Sequence, residues 1–306
     1  MELRYRPVEQ SCAACETYGL SPFGTREGYT YALCPRCKTL QLTPLPTPGY
    51  LRRAYANEYH QHGLIEQVAP PSPDEMNAIN ARYHEFMAAR ILRTKPTGPV
   101  MEVGCGFGGL GKMLLQAGLD WEGIEHSSEC LEHCVSRGLP VRSANVADLS
   151  ESRYGAVVMA FVFEHLVDFG AFLGECKKAL VPGGQLLTLQ PTASFARIVG
   201  GAMRRKGELP KAGTAFVPPW HTVLFSIEGM ECLCKRHGFE VADVLPSVSG
   251  RVGSLIHRTC QWAFERINSI GFSMVGRSWP LAAAHLFVLR KEAAGRAASC
   301  PGKGSL

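Results

Sequence analysis

The sequence predicts an α/β fold built on a doubly wound, mostly parallel sheet, with a small cysteine-rich module at the N-terminal end. Three observations carry that expectation. Short strand-like runs at 100–103, 121–125 (which ends in an acid), 156–160 and 185–189 alternate with helical stretches, so each link between strands is a crossover and the strands run parallel. A glycine-rich turn, Gly104-Cys105-Gly106-Phe107-Gly108-Gly109, follows the first of those runs without a gap. Two C-x-x-C knuckles, Cys12-Ala-Ala-Cys15 and Cys34-Pro-Arg-Cys37, stand together ahead of the alternating region. The length of 306 residues suits about two domains, and 46% hydrophobic residues against 19% charged supply a core and exclude wholesale disorder.

The knuckles come first in chain order. Twelve cysteines in a chain with its own core do not read as a disulfide scaffold. Residues 1–10 are polar and charged, unlike a secretory signal, and no apolar run approaches the roughly 20 residues that span a bilayer. The expectation is a cytoplasmic protein with reduced thiols and no transmembrane segment. Each knuckle can turn two thiolates toward one ion. Residues 29–33 read as a strand running into the second knuckle, and 41–43 as its hairpin partner, which would bring the pairs together. Four thiolates at tetrahedral corners suit Zn²⁺ in a closed, structural site, so Cys12, Cys15, Cys34 and Cys37 are the predicted metal ligands. The plainer alternatives are a redox pair or four unrelated thiols. The other eight cysteines show no second knuckle and read mostly as small buried hydrophobes.

The expected layout is a ribbon over 1–45, a linker and helical region over 46–95, a catalytic domain over 96–292 with an insertion at 196–220, and a disordered tail over 293–306. Ser72-Pro73-Asp74-Glu75 is a capping box with proline at the first helical position, and Met76, Ile79, Tyr83, Phe86, Met87 and Ile91 recur at helical spacing, predicting a helix over about 73–93. Helices are also expected at 110–117, 128–137 and 172–180, and a last strand at 284–290.

The glycine turn by itself admits two readings, a dinucleotide fingerprint through Gly104, Gly106 and Gly109, or a different ligand held by Glu102 with Gly104, Gly106 and Gly108. In either, Glu125, 23 residues after Glu102 at the end of the next strand, is placed to accept hydrogen bonds from ribose hydroxyls.

Residues 100–191 as a whole resemble the class I S-adenosylmethionine-dependent methyltransferases, whose fold is Rossmann-like. Glu102-Val103-Gly104-Cys105-Gly106-Phe107-Gly108 resembles the first motif of that family, and Gly123-Ile124-Glu125-His126-Ser127 the second. Ala144-Asn145-Val146-Ala147-Asp148-Leu149 resembles the segment bordering the adenine, although Asn145 stands where an aspartate is frequent. Val157 to Leu166 resembles the fourth strand with its E-H-L ending, with Phe161 where an acid is common, and Leu180-Val181-Pro182-Gly183-Gly184 resembles the L-x-P-G-G turn. The resemblance implies S-adenosyl-L-methionine as cofactor. It implies Glu102, Gly104, Cys105, Gly106, Gly108, Glu125, His126, Asn145, Val146 and Phe161 as the residues around it. Glu102 would help hold the amino group and Glu125 the ribose. The knuckle segment, with Pro44, Pro46, Pro48, Tyr55 and Tyr59 after it, resembles a bacterial group that sets a zinc-binding segment before a methyltransferase domain. Some of that group methylate nucleotide-linked sugars or other secondary metabolites, and its longer sugar C-methyltransferases carry a further C-terminal domain that this chain is too short to hold.

The implied reaction is transfer of the activated methyl group by in-line displacement to a small-molecule acceptor, at oxygen or carbon. An acceptor hydroxyl or carbon acid needs a base, for which His165 and His221 are the candidates. His221 lies in Pro218-Pro219-Trp220-His221-Thr222-Val223-Leu224-Phe225-Ser226, which resembles an acceptor-side segment of small-molecule methyltransferases. The plainer readings are a backbone-bonded structural histidine at 165 and a turn histidine at 221. Residues 196–211 are basic, which suits a lid for an anionic acceptor or, as readily, a solvated helix face. Residues 254–270 form an amphipathic segment whose plainer reading is packing on the sheet, with contact to a pocket or a membrane surface as the alternative. An RNA methyltransferase with a zinc module for substrate recognition is the competing function. The turn after the fourth strand, Phe161-Val162-Phe163-Glu164, lacks the N-P-P-Y-like pattern of nucleobase amino-methylases, and a net charge of +5 with no dense basic stripe disfavours nucleic acid.

Overall fold

The computed structural model describes residues 11–51, 72–210, 215–247 and 255–292. The tail over 293–306, Lys211 of the basic segment, and Tyr55 and Tyr59 lie outside the described residues.

Seven strands form the main sheet: β4 Val100–Val103, β5 Trp121–Ile124, β6 Val141–Arg142, β7 Tyr154–Ala160, β8 Leu180–Pro191, β10 Phe239–Pro246 and β11 Ala284–Lys291. Their order across the sheet is β10-β11-β8-β7-β4-β5-β6. All run parallel except β11, which is antiparallel to both β8 and β10. The chain winds outward from β4 to β5 and β6, then returns to lay β7 and β8 on the other side. The crevice of a doubly wound sheet therefore opens where β4 meets β7. Buried apolar side chains explain why these runs are strands: Val100, Met101, Ala156, Val157, Val158, Leu186, Leu187 and Leu189 are all fully buried.

Helices cover the crossovers. Helix α1, Pro73–Thr94, begins at the predicted capping box, with the Ser72 side chain accepting from the Glu75 N–H and the Glu75 carboxylate from the Ser72 N–H. It buries Met87, Ala88 and Ile91. Helix α2, Gly109–Gln116, follows the glycine turn, and α3, Ser128–Ser136, starts at an N-cap serine, Ser127. Helix α4, Phe169–Ala179, leads straight into β8. Beyond β8 come α5, Ala193–Met203, and α6, Ile227–Arg236, the latter capped by Ser226. Helix α7, Leu255–Val275, spans the link between β10 and β11.

The second sheet has four strands: β1 Ser21–Arg26, β2 Tyr29–Leu33, β3 Leu40–Leu42 and β9 Val223–Leu224. The first three make the expected ribbon around the cysteines. The fourth comes from the catalytic part of the chain, with Leu40 opposite Leu224 and Gln41 opposite Val223. One core cluster accordingly runs from Cys12, Tyr31, Leu40 and Leu42 through Val223, Leu224, Phe225 and Met230 to Val157 and Leu186.

Two expectations are corrected. The apolar face of residues 254–270 does not pack on the sheet: Ile256, Ile267 and Ile270 of α7 point outward, and Asn268 and Gly271 face the protein instead. The basic segment is also not a free lid. Arg204 donates to the Phe23 carbonyl and lies over the Phe23 ring, the Thr25 N–H donates to Gly207, and buried Leu209 packs at Gly24, which ties 204–209 to the edge of β1.

Candidate active site

The glycine turn is held from three directions. The N–H groups of Gly104 and Cys105 donate to the Ile124 carbonyl of β5, the Asn77 side chain on α1 donates to the Phe107 carbonyl at 3.1 Å, and the Cys134 thiol on α3 donates to the Gly106 carbonyl at 3.3 Å. Gly104, Gly106 and Gly108 all take positive φ, at 67°, 54° and 73°, a region that costs an L side chain about 1–2 kcal/mol. Their surroundings differ. A Cβ on Gly104 would stand 2.6 Å from Cγ2 of Val162, whereas one on Gly106 would meet nothing within 4 Å. Gly106 is therefore the point where the turn is bare, and the backbone there is open to a ligand.

Glu125 closes the turn. One carboxylate oxygen accepts from the Gly106 N–H at 2.8 Å, and the other accepts from the N–H groups of His126 at 2.7 Å and Ser127 at 2.9 Å. A carboxylate has about four lone-pair positions, so acceptor capacity remains for sugar hydroxyls. Glu102 lies deeper. It is 3% exposed, its carboxylate accepts from the Trp121 indole N–H at 3.0 Å, and burial raises its pKa to about 8 against that bond. The exposed Asn145 is tied to Asp148, with both its N–H and its side-chain amide donating to the same carboxylate oxygen. Val146 opens the short helical turn that follows. Cys105 is buried beneath the turn and His126 is exposed.

Phe161 directly follows β7 with φ of 56°, left-handed backbone that a bulky residue adopts only when its surroundings force it. Its N–H donates to the Leu189 carbonyl at 2.7 Å, and its ring meets Tyr83 of α1 edge-on at 5.3 Å. Next comes Val162, packed on Gly104, and then Glu164 and His165. The structure thus brings Glu102, the glycines, Glu125 and Phe161 to the carboxyl ends of β4, β5 and β7, and leaves Asn145 and Val146 on the loop after β6.

The two candidate histidines meet. Their rings lie 4.9 Å apart, edge to face. The Nδ1 of His165 is 3.0 Å from the Trp220 carbonyl and that of His221 is 2.6 Å from the Ala215 carbonyl. A carbonyl only accepts, so both Nδ1 atoms carry the proton; the lone pair of His221 is then on Nε2, while the His165 ring also meets the Phe161 carbonyl. Burial lowers both pKa values, that of His221 to about 4 and that of His165 to about 3, the latter with help from its neighbour. Both rings are neutral at pH 7. Glu164 is 1% exposed, neither carboxylate oxygen has a hydrogen-bond partner on another described residue, and burial raises its pKa to about 8 against a bond from its own backbone N–H. Ligand atoms of Glu164, His165 and His221 lie within 4.8 Å of one another. Neutral imidazoles beside a carboxyl are groups able to exchange a proton, and the donor set is also one that divalent cations accept.

Sequence reasoning missed what holds this cluster. The Tyr31 hydroxyl, on the ribbon, donates to the His221 carbonyl at 2.9 Å. Thr222 donates through its N–H to the Glu164 carbonyl at 2.8 Å and through its hydroxyl to the Glu164 and Leu166 carbonyls. Thr222 lies within the 218–226 segment, where the sequence reading assigned a role to His221 alone, and nothing in the sequence pointed to Tyr31.

The four predicted metal ligands also converge. Sγ of Cys12 is 3.6 Å from that of Cys37, Sγ of Cys15 is 3.5 Å from that of Cys34, and all four lie within 4.8 Å. Tetrahedral thiolates at a Zn–S distance of about 2.3 Å sit about 3.8 Å apart, so the donor set fits that ion. Hydrogen bonds from Cys12 and from Thr39 favour the thiolate of Cys37. The Ser226 hydroxyl donates to the Cys37 carbonyl, fastening the second knuckle to the N-terminus of α6.

A family model described as a methyltransferase domain matches residues 75–244. The chain belongs to the S-adenosylmethionine-dependent methyltransferases. This methyltransferase is 33% identical over 181 residues to the ubiquinone biosynthesis O-methyltransferase of Xanthomonas axonopodis pv. citri (strain 306), a match covering 52% of this chain and 74% of that relative. Among solved structures, a Burkholderia thailandensis 1,6-didemethyltoxoflavin-N1-methyltransferase, bound to 1,6-didemethyltoxoflavin and S-adenosylhomocysteine, aligns with a TM-score of 0.50 at 13% identity over 89% of this chain and all of that one. A Haemonchus contortus phosphoethanolamine N-methyltransferase aligns at 0.51 and 16% identity over 82% of this chain and 62% of that one. At such identities the two structures speak for the fold. This methyltransferase has no helix, among its described residues, long and apolar enough to cross a membrane.

Proposed function

We propose that this methyltransferase methylates a small-molecule acceptor, at oxygen or carbon, with His221 or its neighbour His165 as the base. The observation that carries the reading is one short loop. Val162 packs on Gly104 of the glycine turn, and three residues later His165 meets His221 edge to face. When bound, S-adenosylmethionine supplies a methyl group already activated on a sulfonium, which leaves alignment and proton removal to the protein. Glu125 accepts hydrogen bonds from the ribose, and the bare flank of Gly106 admits the cofactor's tail. Glu102, Gly104, Cys105, Gly108, His126 and Phe161 complete that pocket, and Asn145 and Val146 border the adenine. A neutral imidazole with its lone pair on Nε2 takes a proton from an acceptor hydroxyl, while the Ala215 or Trp220 carbonyl holds the other nitrogen still. The name of the Xanthomonas relative favours oxygen as the methylated atom. Cys12, Cys15, Cys34 and Cys37 hold a structural Zn²⁺. The enzyme works in the cytoplasm.

The test begins with titration of S-adenosylhomocysteine into the purified protein. Glu125→Ala, which also opens the turn, should weaken binding by about tenfold or more. Wild-type binding that survives the substitution unchanged would remove Glu125 from the site. Transfer of labelled methyl groups to a panel of phenolic, sugar-linked and RNA acceptors then identifies the class. His221→Ala should lower kcat by about 10²–10⁴ with S-adenosylhomocysteine Kd unchanged. Full turnover in both His221→Ala and His165→Ala would exclude the cluster as base.

A further inference from the structure

Helix α7 presents an apolar stripe that stands exposed among the described residues. Ile256, Cys260, Ala263, Ile267, Ile270 and Met274 recur in alternating steps of four and three, which puts them on one narrow face about 27 Å long. Ile256 is 76% exposed, Ile267 54%, Ile270 59% and Met274 77%. Contacts on the adjoining face fix this orientation. The Asn268 side chain is buried and accepts from the Trp279 indole at 2.8 Å, and Gly271 lies under the Trp279 ring, where a Cβ would come within 2.4 Å. Phe264 packs edge-on against Phe195 of α5 at 5.8 Å, and Glu265 pairs with Arg82 of α1. Rolling the helix inward would break all four contacts.

We propose that this face of α7 is a docking surface for an anionic membrane. Charge selects the partner. Arg266 is exposed beside the stripe, Arg258 is exposed on the far side of the helix, and the helix's one acid, Glu265, is already paired with Arg82. Arg266 lies 5.5 Å over the ring of Trp262, itself 47% exposed, at the margin of the stripe. An arginine and a tryptophan bordering an aliphatic stripe suit the boundary between headgroups and acyl chains: the stripe enters the apolar layer, the indole stays at the interface, and the guanidinium meets lipid phosphate. A second copy of the chain fits less well. In a two-fold pairing of this helix Arg266, near the middle of the stripe, comes beside its own symmetry mate with no acid to answer it. Six side chains also fall well short of the roughly 20–30 residues a side of a stable interface.

The test is flotation of the full chain with vesicles of phosphatidylcholine alone and of phosphatidylcholine mixed with phosphatidylglycerol. The protein should float with the mixed vesicles and much less with the neutral ones, and added salt should release it. Ile267→Asp with Ile270→Asp, both at exposed positions, should cut binding by about tenfold or more, and Arg266→Gln by about fivefold. S-adenosylhomocysteine affinity and the circular dichroism spectrum should not change in these variants. No flotation with anionic vesicles, or flotation indifferent to the aspartates, would overturn the proposal. So would a concentration-dependent dimer in solution that the same aspartates abolish, since the stripe would then belong to a second copy.

Discussion

Glu102 sits in the strand that leads into the cofactor turn, yet its carboxylate is turned onto an indole N–H and away from water. Burial lifts its pKa to about 8, against 4.5 in an ordinary environment, because the charged form loses its hydration and recovers one hydrogen bond. The folded state therefore keeps a proton that the unfolded chain gives up. The stability this contributes is fully present below pH 4.5, declines as pH rises from there, and is gone above about 8. Glu102→Gln removes the titration and keeps a carbonyl for Trp121. Urea denaturation should show the wild type losing about 2 kcal/mol relative to that variant between pH 6 and 9. A constant difference across that range would mean the carboxylate is ionised in the folded protein.

Among the elements, the glycine turn separates two functions that one motif hides. Gly104→Ala places a methyl against Val162 and should disturb the loop to His165, lowering stability as well as activity. Gly106→Ala meets no atom of the described residues within 4 Å and should cost only about 1–2 kcal/mol of backbone strain, while abolishing S-adenosylhomocysteine binding. Thermal melts set beside calorimetric titrations check the split. The turn was legible in the sequence because only glycine serves there, and β4, β5, β7 and β8 because each is an apolar run between breakers. The capping box of α1 and the cysteine knuckles were equally plain. Other elements were hidden for physical reasons. β6 and β9 have two residues each, too few for any periodicity, and β1, with Pro22, Gly24 and exposed Ser21, is an edge strand without an apolar pattern. In α7 the pattern was visible and its direction was not. An apolar stripe shows that a face is distinct, whereas the contacts of Asn268 and Gly271 decide which way it points. The pairing of Tyr31 with His221 joins residues 190 apart in the chain and leaves no local trace.

At the scale of the whole molecule the ribbon and the catalytic sheet are one cooperative body. Strand β3 pairs with β9, Ser226 holds the Cys37 carbonyl, Arg236 donates to the Ala14 carbonyl at 3.0 Å, and Tyr31 holds the His221 backbone. Calorimetry should give a single unfolding transition. Cys34→Ser, or withdrawal of metal by a chelator, should lower that transition and slow turnover by loosening the His221 segment. S-adenosylhomocysteine Kd should move less, because the hydrogen bonds that hold the glycine turn come from Ile124, Asn77 and Cys134, none of them on the ribbon. Equal losses in cofactor affinity and turnover would show that the ribbon supports the entire sheet. The shared strand also bears on how the enzyme can be trimmed. Cutting the chain after the third ribbon strand, to obtain a minimal catalytic fragment, would leave Val223 and Leu224 with unpaired backbone groups and bare the apolar surface they share with Leu40 and Leu42. Such a fragment would emerge as an aggregating species, and supplying the first 45 residues as a separate peptide would be the way to recover it.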